Sequence, residues 1–520
     1  MDSQETATPE PESVSAPLAP AAAVSASRKM DRSLAGSLAW KAAGDWISQI
    51  FAWVSLLIVV RLLSPADFGL VGMAVILLPY LRYIGEFGVP RVIVNFPDLT
   101  DDQIAQLNTF SLILGFVCFG MAIALAHPVA LFFRSPKLAP VVIVTCSALI
   151  PWGFRAVSEG LLNKEMAFRQ LSVYDAINAI AAAVITLVMA YLGYGYWSLV
   201  WGNVVATIIR TGLILWARPY RYAWPKFSVI REHLLFGWHV LVSVVALNSY
   251  QRLDNMTVGR VLGQTALGFY GMAWVLANVP LEKVTSLVTT VVPSYLAVVQ
   301  KQPAELRRYV RTLTEAMALL TFPATVGLGL VAKELIPIAL GHKWDGVVLP
   351  LEILSIYAAF RSIVALLSKV LVAVGNARFV MWNDLFALCL LPIAFYIGSR
   401  WGTAGVAWGW VAAYPLVAVP LYRKTFKMID MKMGEYMRGV RPALDGTIVM
   451  TVFVLLVKFL RPSSLPLSVQ LAIEIVAGFV AYTGTIFLFY RQRMNAFLEM
   501  AKGFRRKRRP QAAPAKASAN

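Results

Sequence analysis

Charged side chains stand inside the long apolar runs of this chain, where a soluble protein's core would have none. The first half holds Asp45, Arg82, Glu86, Arg155, Glu159, Asp175 and Arg210, and the second holds Arg252, Asp254, Glu282, Lys283, Glu315, Glu352, Arg361, Lys369 and Asp384. In an apolar span each costs roughly 2.5–3.5 kcal/mol to insert, so each requires a partner or a wet cavity. Buried groups of this kind can hold an anion, relay a proton or bind a cation. They do not form a catalytic constellation. The four histidines, His127, His233, His239 and His342, are scattered at span ends and loops, and no GxxxxGK[ST] loop or Cys/His cluster is present. Cys118, Cys146 and Cys389 lie in apolar runs and read as small core residues. The chain is therefore expected to be no enzyme, with no metal and no cofactor.

Spacing separates these charges into two kinds. Arg155 and Glu159, like Arg82 and Glu86, are four apart, so each pair can neutralise itself on one helix or face a cavity together. Arg252 and Asp254 are two apart and cannot meet on a helix, so at least one needs a partner elsewhere. Arg361 and Lys369 share a run with no acid at pairing distance, which makes them candidates for a cationic lumen. Asn248, Asn178 and Gln49 could extend it or bond between helices. Arg210 lies near the end of its run, where its side chain can reach the interface.

The elements that must position these residues are membrane helices. The chain has 520 residues, is 58% hydrophobic and 14% charged, and has mean hydropathy +0.65. Apolar runs of about 20 residues recur from Trp40 nearly to Tyr490, each long enough to cross a bilayer. Fourteen spans are expected, among them a fourth near 138–160, a seventh near 234–259, a twelfth near 403–422 and the last two near 443–460 and 467–490. The net charge of +19 does not imply nucleic acid, because the basic residues concentrate in alternate connections and at Arg505–Arg509. That asymmetry puts both termini in the cytoplasm. Residues 1–30 read as a disordered tail, 31–220 as a first lobe, 221–425 as a second, 426–490 as an interfacial helix with spans 13 and 14, and 491–520 as a basic tail. Most tryptophans, Trp344 and Trp410 included, fall near span ends and read as an interfacial belt.

The chain also repeats itself. Arg61 through Ala74 (RLLSPADFGLVGMA) returns as Arg260 through Ala273 (RVLGQTALGFYGMA), 199 residues later and without a gap. Gly195, Trp201 and Gly202 return as Gly402, Trp408 and Gly409, and Phe154-Arg155 returns as Phe360-Arg361. Six spans per half is an even number, so the halves share topology and enclose a cavity between them. The fold expected is an all-α polytopic membrane protein of about fourteen helices, two pseudo-symmetric six-helix lobes plus two C-terminal helices.

Several of these segments carry a family resemblance: Arg61 through Gly69, Asp98-Leu99-Thr100, Gly193 through Val200, Asp254 through Arg260, and Leu340-Gly341 with Trp344. The chain resembles the polysaccharide transporter family of the multidrug/oligosaccharidyl-lipid/polysaccharide superfamily, the bacterial O-antigen and exopolysaccharide flippases. The resemblance implies a two-lobed V in the inner membrane that moves an undecaprenyl-diphosphate-linked oligosaccharide to the periplasmic leaflet. It implies that cavity cations, here Arg155, Arg252, Arg361 and Lys369 with Asn248, attract the diphosphate or acidic sugars. Without an ATP site, energy would come from an ion gradient or product consumption; Asp45, Glu86, Asp254 and Glu315 are the candidate coupling groups, each also readable as a salt-bridge partner. Partners would be membrane lipids and the polymerase and chain-length regulator of the same pathway. The alternatives are a lipid II or multidrug exporter of the same superfamily, a membrane polymerase or ligase of lipid-linked glycans, and a structural scaffold.

Overall fold

A computed structural model describes residues 49, 51–96, 98–226, 228–231, 233–238, 241, 252–289, 303–462 and 464–491. Among these, 88% are helical and no strand occurs. The two tails up to residue 48 and from residue 492, Asp45, Trp46, His239, Asn248 and the middle of the expected seventh span (239–240 and 242–251) lie outside the described residues. Among the described residues ten helical stretches are long and apolar enough to cross a membrane, two of which, Leu138–Lys164 and Ala377–Ile429, each hold two α-helices.

The first half comprises α1 (Phe51–Leu62), α2 (Pro65–Glu86), α3 (Val89–Asn95), α4 (Asp101–Phe132), α5 (Leu138–Cys146), α6 (Leu149–Lys164), α7 (Phe168–Tyr191) and α8 (Trp197–Ala217). The second comprises α9 (Leu253–Val261), α10 (Gln264–Thr289), α11 (Pro303–Leu330), α12 (Ala332–Ala339), α13 (Val348–Ala373), α14 (Ala377–Gly398) and α15 (Gly402–Ile429). The last pair is α16 (Met433–Leu460) and α17 (Leu467–Phe489).

Two of the motifs read from the sequence are helix starts. At α2, Ser64 Oγ accepts from Asp67 N at 3.2 Å and Asp67 Oδ2 accepts from Ser64 N at 2.9 Å, with Pro65 at the first helical position. At α4, Thr100 and Gln103 form the same box, at 3.3 and 2.9 Å. The expected fourth span is broken into α5 and α6 at Ser147–Ala148. Ser147 Oγ bonds back to the Val144 carbonyl at 2.7 Å there, a local bond that competes with the ladder. The interfacial helix expected before span 13 is not separate. Its residues continue α15 to Ile429 and open α16 at Met433, joined by Asp430 in the left-handed region at φ 49°.

Helix α2 lies at the centre of the first half, against α4, α5 and α6, and α10 at the centre of the second, against α11 and α13. The principal contact between the halves is α2 on α10. It is a reciprocal crossing of the repeated segment. Gly69 meets the Gln264 carbonyl and Gly268 meets the Pro65 carbonyl; a Cβ would lie 1.7 and 1.9 Å from those oxygens. Both pairs are related by the same 199-residue offset, so only glycine lets the helices cross. The bonds around the crossing are reciprocal too. Arg61 donates to the Ile338 and Ala339 carbonyls at the end of α12, and Arg260 donates to the Phe132 carbonyl at the end of α4. Two of the presumed belt tryptophans are in fact interior. Trp344 is fully buried and donates to the Val60 carbonyl at 3.0 Å, while Trp410 is 1% exposed.

Candidate functional site

Both central helices leave the crossing and carry polar residues some way down their length. On α2 Arg82 is thirteen residues beyond Gly69, about 20 Å at ~1.5 Å per residue, and on α10 Asn278 is ten beyond Gly268, about 15 Å. Polar groups on neighbouring helices gather at these two places.

In the first half they form a balanced chain of charge. Arg155, 6% exposed on α6, holds Glu159 at 2.9 Å; Glu159 holds Arg210 of α8 at 2.9 Å; and Arg210 holds Asp175 of α7 at 2.8 Å. Arg82 pairs with Glu86 at 2.7 Å and stands 4.6 Å over the Trp152 ring, with Arg155 5.9 Å from the same ring. Three arginines thus meet three carboxylates. Of the readings left open by spacing, self-pairing describes both Arg155–Glu159 and Arg82–Glu86. Arg210 does not stretch to an interface but ties three helices together. Arg82 differs in keeping 42% of its side chain exposed, with an aromatic platform behind it.

In the second half, Arg361 of α13 donates to Asn278 Oδ1 at 3.0 Å and stands 5.8 Å over Trp274, both on α10. Lys283 reaches back to Gln49 at 3.2 Å, a further bond between the halves. Lys369, two turns along from Arg361, is exposed on α13, and Arg252 is half-buried at the N-cap of α9. The repeated Phe-Arg pair thus puts an arginine over a tryptophan in each half. Spacing in the sequence did not reveal Trp152, Trp274 or Asn278, because a platform is recognised only once its cation is placed.

Asp254 has no exposed surface. Its Oδ2 accepts from Tyr270 Oη at 3.0 Å and Trp410 Nε1 at 3.1 Å, and Oδ1 accepts from the Asn255 amide at 2.7 Å. No cation pairs with it among the described residues. The partner required by the spacing argument is therefore a set of neutral donors. Glu315 is half-buried on α11. A second buried cluster was missed: Lys458 holds Glu334 at 2.7 Å and Glu474 at 3.2 Å, while Arg461 holds Glu334 at 2.7 Å and also Glu474. It fastens α16 and α17 to α12. The signal was legible, since Glu474 is the one charged residue of α17.

These features define a two-lobed helical membrane protein with polar residues in both lobes. Similar architecture is found in solved structures. The lipid II flippase MurJ in its inward closed conformation aligns at TM-score 0.72 and 13% identity, covering 87% of this chain and 99% of that one. An inward-facing multidrug resistance MATE transporter of the MOP superfamily aligns at 0.62 and 14%, covering 74% and 94%. Among curated relatives, the succinoglycan biosynthesis transport protein ExoT of Rhizobium meliloti (strain 1021) is 25% identical, covering 90% of this chain and 94% of its own. The lipopolysaccharide biosynthesis protein WzxC of Escherichia coli (strain K12) is 24% identical, covering 77% and 81%. Residues 58–349 match the model of the polysaccharide biosynthesis protein family. The chain belongs to that family.

Proposed function

We propose that this protein moves an undecaprenyl-diphosphate-linked oligosaccharide from the cytoplasmic to the periplasmic leaflet of the bacterial inner membrane. The observation that carries this reading is the pairing of the α2–α10 crossing with arginine-over-tryptophan sites on both sides below it. A sugar-diphosphate head cannot enter hydrocarbon unaided, since each unpaired polar group costs several kcal/mol. Between the halves it would find planar guanidinium forks for phosphate oxygens and aromatic faces for sugar rings. Arg82 is the group best placed to exchange its carboxylate for a phosphate, because it is half exposed and held by one acid. Arg155 and Arg210, each locked to acids, act by fixing Glu159 and the helices around it. Arg361 takes the corresponding role in the second half. The crossing closes the periplasmic end, and its reciprocal contacts part when the halves tilt.

Of the four coupling candidates, Asp254 is the group we assign. Glu86 is already neutralised by Arg82, whereas Asp254 is a buried carboxylate served only by neutral donors and can accept a proton without breaking an ion pair. The relatives' names, a transport protein and a biosynthesis protein of bacterial polysaccharides, support a glycan substrate. The likeness to MurJ is one of fold. The discriminating experiment is to delete the protein and locate the lipid-linked intermediates. Repeat units stranded in the inner leaflet support a flippase; units accumulating outside indicate a polymerase or ligase, and accumulation of lipid II instead indicates a lipid II exporter.

A further inference from the structure

The connection from the first half to the second borders a cleft whose lining includes none of the charged residues described above. From Arg218 to Arg231 the sequence carries Arg218, Arg221, Lys226 and Arg231 and no acid. This connection is fixed to the first half. Asn108 donates to the Arg221 carbonyl at 3.2 Å, and the Ala223 and Lys226 amides donate to Thr109 and Gln106 at 3.1 and 2.9 Å. Residues 228–231 and 233–238 are then helical. One face of this segment is buried: Ile230 is fully enclosed by Val89, Val92 and Ile93, and His233 and Phe236 pack edge-on to Phe96 at 4.9 and 5.4 Å. The opposite face presents Ser228, Arg231, Leu235 and Trp238, with Leu235 50% and Trp238 52% exposed.

Across from that face stands Phe87. It ends α2 in the left-handed region at φ 43°, followed by Gly88 at φ 69°, and its ring sits 6.3 Å from Trp238. Gly237 lets the segment approach, because a Cβ there would lie 2.3 Å from the Phe87 carbonyl. The result is an open cleft of about 450 Å³ lined by Phe87, Ser228, Arg231, Leu234, Leu235 and Trp238. That volume falls within the roughly 300–1,000 Å³ typical of ligand sites. The lining is graded along its length. Arg231 and Ser228 are at the end next to the basic connection, and Leu235 and Trp238 follow about 10 Å further along the segment at ~1.5 Å per residue. No acid among the described residues pairs with Arg231. A cation above an apolar slot matches an amphiphile with an anionic head and a single hydrocarbon chain.

We propose that this cleft holds a polyprenyl phosphate lipid, its phosphate on Arg231 and its first isoprene units between Phe87, Leu235 and Trp238. The assignment of the lipid rests on the transport reading, and the cleft would be where the lipid-linked substrate is gathered from its leaflet before entering between the halves. A single slot with a single cation fits a one-chain lipid better than a two-chain phospholipid, which would leave one chain outside.

The test uses full-length protein in phosphatidylethanolamine nanodiscs, with undecaprenyl phosphate as probe and phosphatidylglycerol as competitor, read by native mass spectrometry. Wild type should retain one undecaprenyl phosphate. Arg231→Gln and the cleft-filling Leu235→Trp should each weaken retention at least fivefold at an unchanged melting midpoint, and Arg231→Lys should restore part of it. Equal binding by wild type and both variants overturns the site, as does displacement by phosphatidylglycerol at equal concentration. Should Arg231→Gln fail to fold, Leu235→Trp alone decides. Measuring glycolipid translocation in parallel separates the two ideas. Wild type that binds the probe at Arg231 but moves no glycolipid removes the transport reading and leaves the site; normal translocation with no binding here removes the site alone.

Discussion

Replacing Gly69 with Ala tests whether the α2–α10 crossing is a gate or a fixed seam. The added methyl group would stand 1.7 Å from the Gln264 carbonyl oxygen, and there is as little room at the reciprocal contact, where a Cβ on Gly268 would stand 1.9 Å from the Pro65 carbonyl oxygen. The helices must therefore part locally. Overpacking of this kind costs about 1–3 kcal/mol. If the cost falls only on the state in which the halves are joined, it shifts the balance towards the parted state by about 5- to 140-fold, at tenfold per ~1.4 kcal/mol. The readout is labelling of Leu267→Cys, a side chain 3% exposed that would lie 3.5 Å from a Cβ at Gly72, with a membrane-impermeant maleimide applied from outside. Cys118 and Cys146 are buried, so replacing the exposed Cys389 with Ser leaves a clean background.

Gly69→Ala should raise the labelling rate at least fivefold and slow export. Gly268→Ala should do the same. Because one separation relieves both clashes, the double variant should add less than the sum of the single ones. A gate is refuted if labelling is unchanged while the melting midpoint falls additively, for then the crossing is a static interface whose disruption only destabilises the fold.

Three further outcomes are expected. Arg361→Ala should abolish export in membranes that still contain the protein, with Lys369→Ala as its companion; normal export from both would remove the cationic role from the second half. Glu474→Ala leaves Lys458 and Arg461 sharing Glu334 alone, so it should destabilise the α12–α16–α17 contact by about 3 kcal/mol, the scale of a broken buried pair, seen as a lower melting midpoint in detergent; an unchanged midpoint would show the cluster to be hydrated. Reporter fusions after residues 165, 225, 305 and 435 should all report the cytoplasm, and one periplasmic reading among them would break the fourteen-span topology.

The sequence carried the helical fold, the repeat and the identity of most buried charges, because hydropathy and spacing are local properties. It also carried the crossing in hidden form: the 199-residue offset that relates Gly69 to Gly268 and Arg61 to Arg260 reappears as a set of reciprocal contacts. What it could not supply was the partner of each charge. Four-residue spacing could be read for Arg155–Glu159, but Arg210 is 51 residues from Glu159, and Asp254 is satisfied by a tyrosine and a tryptophan up to 156 residues away. Trp344 and Trp410 misled for the same reason. Near a span end, an indole looks interfacial until a carbonyl or carboxylate from another helix accepts its N–H. Partners fixed between helices therefore separate two kinds of cation here. Those bound to acids on several helices, such as Arg210, stiffen one half, while one that stands half exposed on an aromatic ring beside an acid of its own helix, Arg82, can exchange that partner. A phosphate passing between the halves would be handed along the second kind, so exchanging Arg82 for Gln should slow export more than it lowers stability, and exchanging Arg210 should do the reverse.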